Sequence, residues 1–384
     1  MENLTVSQKF KELFGQEPVS IVRSPGRINL IGEHIDYNDG FVLPASINKE
    51  IILAISPNTI DDTCHLFAND FNSSFSFQLS KLEKSDKGWP NYVMGVVDEL
   101  QKAGYQLKAF NCLFGGNIPT GAGLSSSEAV ECGVAFGLNE IFKLDLSRLD
   151  IVQISKKAEN HFVGVNCGIM DQFASTFGKA NHVIKLDCKT LEYHYFPFQI
   201  DGYDVVLCDT GVKHSLGDSE YNTRRKECDS AIALLKSKYE NIKSYRDVTP
   251  EQILSVASEL PAKTIDRANF VIAEIKRVED ATVLLSANNI IGFGQLMFQT
   301  HDGLSKLYEV SCIELDFLKD LAVESGLVTG SRMMGGGFGG CTINLIKKEN
   351  TQAFIEKAEI AYQTRFQKAL KTYVVAIKDG TSLI

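Results

Sequence analysis

The sequence predicts an α+β protein of two lobes. Segments that read as strands dominate its first half, and segments with helical spacing dominate its second. No internal repeat, low-complexity tract or obvious linker interrupts the 384 residues. The lobe boundary is expected near residue 195, which gives lobes of 1–195 and 196–384.

The elements follow in chain order. Residues 5–14 read as a short helix with Phe10, Leu13 and Phe14 on one face. Strands are expected at 28–31, 41–43 and 51–55. Residues 91–103 have helical spacing through Val93, Val96, Val97 and Leu100. Residues 108–114 read as a strand that runs into Gly115 and Gly116. A Gly-rich turn then leads into an apolar helix at 125–138, and a further helix follows at 149–162. Residues 182–186 and 192–196 look like a hairpin, and 203–208 like a buried strand. A long helix at 221–239 contains neither Gly nor Pro. Residues 250–288 are expected to be mainly helical. A helix at 312–325 is closed by Gly326. A strand at 341–346, a helix at 353–370 and a strand at 373–377 complete the pattern.

Composition narrows the function classes. Hydrophobic residues make up 44% and charged residues 23%, enough apolar material for a large core. A net charge of −9 supplies no global positive field, which argues against nucleic acid as the main partner. An anionic small substrate needs only a local positive site. The polar N-terminal stretch lacks the apolar core of a signal peptide, and no apolar run approaches a membrane span. Nine scattered cysteines without a CxxC pair read as reduced thiols of a cytoplasmic protein. Seven histidines without metal-ligand spacing make a zinc site unexpected.

Four stretches carry chemistry. GRINLIGEHIDYNDG, residues 26–40, holds far more hydrogen-bonding side chains than a turn needs. Its Asn38, Asp39 and Gly40 read as a plain hairpin turn. GGNIPTGAGLSSSEAVECG, residues 115–133, puts three serines where a helix starts. That pattern suits either serine caps or an anion site at a helix N-terminus, best matched to phosphate. It is not a Walker loop, because no Gly-Lys-Ser/Thr follows. GSRMMGGGFGGCTINL, residues 330–345, has five glycines in the six positions 335–340. Such a run suits close packing against another loop or a ligand. In AENHFVGVNCGIMDQ, residues 158–172, Glu159 falls on a helix and Asp171 in a loop after Gly168. Asp171 there is either a turn former or a catalyst.

Together these residues resemble a known family. GRINLIGEHIDYNDG resembles the galactokinase signature. GAGLSSSEA is similar to the phosphate loop of the GHMP small-molecule kinases, and GGGFGGC resembles that family's third motif. CGIMDQ and HSLGDSEYNTRR also resemble galactokinase segments. The motifs stand in the family's order from residue 24 to 342.

The resemblance implies the two-lobed GHMP kinase fold, with mixed β-sheets and an active site between the lobes. It implies ATP-dependent phosphorylation of the anomeric hydroxyl of galactose, giving galactose 1-phosphate and ADP. Galactose and ATP are then the partners; the oligomeric state is left open and a monomer fits. By the same resemblance Asp171 is the base and Arg27 lies beside it. A sugar is a ring of hydroxyls, and carboxylates accept from two of them at once. Asp36 would take neighbouring ring hydroxyls, with Glu33 and His34 at the exocyclic end. Gly168 and Tyr221 would line the same pocket. Gly121, Ala122, Gly123, Leu124, Ser125, Ser126 and Ser127 would hold the triphosphate. Lys213 is either a further phosphate contact or a solvated lysine, and Trp89 either meets adenine or packs. Mg2+ would bridge the phosphates, held by Ser126 or a neighbouring serine and by Glu159, directly or through water.

One residue departs from the family. A small residue usually follows the serines, and here Glu128 does. It is expected to point away from the ligand. Two alternatives remain in view: a kinase for a related sugar such as N-acetylgalactosamine or an arabinose, and a sugar and ATP sensor without turnover.

Overall fold

The computed structural model describes residues 3–198, 200–212 and 219–384. Helix α1 (Asn3–Phe14) leads into strands β1 (Ser20–Asn29), β2 (Phe41–Val42), β3 (Pro44–Pro57), β4 (Thr63–Ala68) and β5 (Ser73–Gln78). Then come α2 (Pro90–Lys102), β6 (Phe110–Gly116), α3 (Ser126–Phe142), α4 (Arg148–Lys157) and α5 (Met170–Phe177). β7 (His182–Asp187) and β8 (Tyr193–Pro197) form a hairpin, followed by β9 (Tyr203–Asp209). Five helices follow: α6 (Ser219–Lys238), α7 (Pro250–Ser255), α8 (Ala262–Ser286), α9 (Ile290–Lys306) and α10 (Ile313–Ser325). The rest is β10 (Val328–Met333), β11 (Cys341–Lys347), α11 (Lys348–Phe366), β12 (Lys371–Val375) and β13 (Ser382–Leu383).

The first sheet has the order β13-β1-β3-β6-β4-β5, with β4 parallel to β6 and its other neighbours antiparallel. Alternation along β3 explains its two covered faces. Ile51, Leu53 and Ile55 join the main core, whereas Ile52 and Ala54 meet Val6 and Phe10 of α1. Helix α3 lies close to the sheet because Gly133 and Gly137 face it. A methyl at Gly133 would overlap Leu53.

The second sheet, β10-β11-β9-β12, is antiparallel throughout. Val206, Cys208 and Ile346 face α10 and α11 through Leu318, Phe354 and Tyr362. The opposite residues, Val205, Leu207, Ile343 and Leu345, belong to the same core as β1 and β3. The two lobes therefore share one apolar interior. The chain also crosses back: Lys378 N donates to the Ser46 carbonyl at 3.0 Å, and β13 pairs with β1 at Val22↔Leu383.

Several elements differ from expectation. The helix read at 149–162 ends at Lys157 and widens into a π-helical turn, Ala158–Val163, closed by Gly164 at φ 101°. Asp171 stands in the first turn of α5, not in a loop. Residues 38–40 are not a hairpin turn. Asp36–Asn38 form a 3-10 turn ended by left-handed Asp39 (φ 59°), and β2 pairs with β7. Asn38 Nδ2 instead bonds the His34 carbonyl at 2.9 Å, which ties the loop to itself. β4, β5, β10 and α9 carry no sequence-based expectation; α9 is masked by its glycines, which are poor helix formers. Gly294 is nonetheless required, since a methyl there would overlap the Thr329 carbonyl of β10.

Candidate active site

A cavity of about 800 Å³ lies where the opening loop, the start of α3, α5 and α6 converge. Its wall includes Arg27, Glu33, His34, Asp36, Gly168, Asp171 and Tyr221. It also includes Trp89, Gly121, Gly123, Leu124, Ser125, Ser126 and Ser127. Residues read from separate motifs are thus brought to one wall. Ala122 and Glu159 do not reach that wall, and Lys213 lies outside the described residues.

Asp171 is held from two sides. Arg27 Nε donates to Oδ1 at 2.8 Å and Nη2 to Oδ2 at 2.7 Å, a bidentate pair. Arg27 Nη1 donates to the Gly123 carbonyl at 2.7 Å, so the same side chain fixes the phosphate loop. Burial opposes the charge on Arg27, but Asp171 and Glu33 more than compensate and hold it protonated. Gly26 admits this approach, because a methyl there would lie 2.6 Å from the Leu124 carbonyl.

The phosphate loop turns on Gly121 (φ 80°) and Gly123 (φ 73°), a region open to glycine without cost. Ser125 precedes α3 with φ 57° and gives it no side-chain cap. Its Oγ donates instead to Asp171 Oδ2 at 2.6 Å. The first amides of α3 are therefore left for an anion. The two glycine-rich runs pack on each other: methyls at Gly335 and Gly340 would lie 3.2 Å and 3.4 Å from the Gly123 and Ala122 carbonyls. That packing is why Ala122 is fully buried behind the wall.

At the other end, Asp36 sits against Gly168 so tightly that any side chain there would overlap Asp36 Oδ2. Burial, then the nearby Asp171 and Glu33, push the Asp36 carboxyl up to about 7. His34 Nδ1 meets Tyr37 Oη at 2.7 Å, and Tyr37 Oη meets Tyr308 Oη at 2.9 Å. Burial, then Arg224 and Arg332, lower the imidazole to about 3, so it is neutral. The Gly336 backbone beside the buried ring offsets part of that lowering. The Tyr221 ring lies 5.6 Å from that of His34.

Glu128 overturns its expectation: it lines the cavity, with Ser127 Oγ donating to Oε2 at 2.7 Å. It is the third residue of α3, beside the phosphate loop, and is 5% exposed. Behind it, the carboxyl groups of Glu131 and Glu159 are buried and face each other. Burial and neighbouring carboxylates raise all three acids above the usual range, with Glu131 offsetting part of the rise at Glu159. Among the described residues no three His, Cys, Asp or Glu could hold a metal by themselves. Trp89 both packs and lines the cavity, its ring 5.6 Å from Phe114.

Sequence reasoning missed Phe71, Lys84 and Lys87 on the wall, as well as Tyr308 and Arg332 behind it. Proximity of Lys84 and Lys87 to Trp89 was the available signal for the first group. Tyr308 carries none, since it is a lone aromatic after an unrecognised helix.

Comparison with known proteins agrees with this geometry. The galactokinase galactose-binding signature matches residues 8–57. The N-terminal and C-terminal GHMP kinase domains match residues 91–179 and 281–362. The galactokinase of Thermosipho africanus is 42% identical over 364 residues, covering 94% of this chain and 99% of that protein. That of Thermotoga neapolitana is 40% identical over 363 residues, with the same coverage of 94% and 99%. The crystal structure of Lactococcus lactis galactokinase complexed with galactose superposes with a TM-score of 0.94 at 36% identity, covering 99% of both chains. Methanococcus jannaschii mevalonate kinase shares the fold, with a TM-score of 0.66 at 16% identity, covering 94% of this chain and 98% of that one. The two-lobed architecture, the ordered motifs and full-length similarity lead to one conclusion: this chain belongs to the galactokinase family of the GHMP kinases.

Proposed function

We propose that this protein transfers the γ-phosphoryl group of ATP to the anomeric hydroxyl of D-galactose, releasing galactose 1-phosphate and ADP. The observation that carries the reading is the Arg27–Asp171 pair, which joins the signature loop, the phosphate loop and α5 at one point. Full-length similarity to galactokinases supports the substrate.

The roles follow from the contacts. Asp171 Oδ2 accepts from both Arg27 and Ser125, whereas among the described residues Oδ1 accepts only from Arg27. One lone pair of Oδ1 is thus available to the anomeric hydroxyl. Asp171 orients that oxygen and takes its proton as the new bond forms. Arg27 keeps Asp171 in place and offsets charge on the moving phosphoryl group. The bare amides of α3 hold the phosphates, and Trp89 borders the nucleotide base. Asp36, Glu33 and His34 fix the sugar's remaining hydroxyls.

Ser126 lines the cavity and Glu159 is buried behind its wall; we assign them as the residues that would hold Mg2+ with ATP, Ser126 by its oxygen and Glu159 through water. Bound there, the ion would neutralise phosphate oxygens. We place the reaction at the junction of lobes 1–195 and 196–384 and in the cytoplasm. All nine cysteines are free, and among the described residues no helix is long and apolar enough to cross a membrane.

ADP release measured with galactose, N-acetylgalactosamine, L-arabinose and no sugar tests this. Release specific to galactose is expected; sugar-independent or absent release would refute it. Asp171→Ala should cut kcat by about 100-fold or more while ATP still binds.

A further inference from the structure

A fully buried arginine stands just before the second glycine run, and the reaction above gives it no role. Arg332, in β10, is 0% exposed. Its Nε donates to the Leu30 carbonyl at 2.9 Å and its Nη1 to the Met333 carbonyl at 2.6 Å. Its Nη2 donates to the Asn29 carbonyl and pairs with Glu33 Oε2 at 2.7 Å. A buried charge survives only when paired and hydrogen-bonded, and each of these contacts meets that need.

The consequence falls on Glu33. Asn29 Nδ2 also donates to Glu33 Oε2, at 3.2 Å. Both contacts use Oε2, and Glu33 lines the cavity, so Oε1 is the oxygen left to accept from a ligand. The backbone beside Arg332 is tied to α9 and α10 as well. The next residue's amide, Met333 N, donates to His301 Nδ1 at 2.9 Å, and His301 Nε2 meets Asp316 Oδ1 at 3.0 Å.

We propose that Arg332 is a positioning residue through which the second lobe orients Glu33 toward the exocyclic hydroxyl of the sugar. This rests on the galactose reading and extends it: selectivity for that hydroxyl is set by a side chain that never touches the substrate. A lysine cannot replace it, because one ammonium cannot reach the Leu30, Asn29 and Glu33 oxygens in the guanidinium's fixed fork.

The test compares galactose with 6-deoxygalactose, which lacks the exocyclic hydroxyl. Arg332→Lys should lose about tenfold or more in kcat/KM for galactose and less than about threefold for 6-deoxygalactose. In a Glu33→Gln background the same substitution should add less than about threefold for either sugar. Equal losses on both sugars would mean a merely structural role and overturn the proposal. Glu33→Gln alone, with Arg332 intact, covers the case in which Arg332→Lys does not fold. It should erase most of the preference for galactose, and retained preference would overturn the proposal. Wild-type protein that turns over both sugars equally would overturn it while leaving galactose phosphorylation standing. Absence of any galactose-dependent ADP release would instead remove the functional reading and this proposal together.

Discussion

Asp36 is held at the edge of ionisation by burial and by Asp171 and Glu33, with its carboxyl raised to about 7. The sign of the effect on stability follows. In the unfolded chain this group ionises in the ordinary range, so its contribution is fully present in acid. That contribution is lost as pH rises through about 7. The sugar-free protein should therefore lose melting temperature between about pH 4 and 7, with no further loss from this group above that. Asp36→Asn should remove part of that loss, and thermal melts across the range would show it. A slope identical in the variant would mean that Asp36 ionises freely in the fold. Glu128 gives a second residue-scale expectation. An extra carboxylate beside the phosphate loop repels a triphosphate when ionised, and burial with its acidic neighbours favours its neutral form. Glu128→Ala should lower the KM for ATP by about fivefold at pH 8 and less at pH 6. An unchanged KM at both values would show that the carboxyl does not face the nucleotide.

At the scale of elements, the loop 164–169 and the signature turn meet through a single glycine. A methyl at Gly168 would overlap the Asp36 carboxylate, so one of the two must shift. Gly168→Ala should raise the KM for galactose by about tenfold or more with little change for ATP, in steady-state kinetics with each substrate varied. Equal effects on both would point to a general loss of fold. Elements with ordinary local chemistry were legible in the sequence. The hairpin at 182–196 and the buried strand at 203–208 needed only β-branched and aromatic residues in short runs. β10 was not legible, because Val-Thr-Gly-Ser-Arg-Met puts a glycine and an arginine where a strand core is apolar. Those two residues serve neighbours, Gly294 of α9 and Glu33 of the signature loop. The place of the candidate site was legible where family motifs mark it: Arg27 pairs with Asp171, and Asp36 lines the same cavity. What escaped was the support behind the wall. Glu274 accepts from Gly32 N at 2.9 Å across 242 residues of sequence, and no local pattern announces such a partner.

For the whole molecule, the shared apolar interior sets the expectation. Residues of all three sheets, β2-β7-β8 included, and of α8 and α9 belong to one continuous core. The Arg332–Glu33 pair and the glycine runs bind the lobes further. Calorimetry should therefore show one cooperative transition, not two separated by lobe. Galactose at a hundredfold excess over its Kd should add about 2.7 kcal/mol to the stability of the whole. Two resolved transitions, with only one moved by sugar, would contradict the shared interior.

Pairing of β13 with β1 has a bearing on how the molecule is made. A nascent polypeptide that has left the ribosome through β12 still carries β1 with a bare edge. The first-built sheet is then sealed by a segment about 360 residues behind it. Until translation passes Leu383, that rim is open to pairing with other chains, so the hazard of misassembly lasts for nearly the entire time of synthesis.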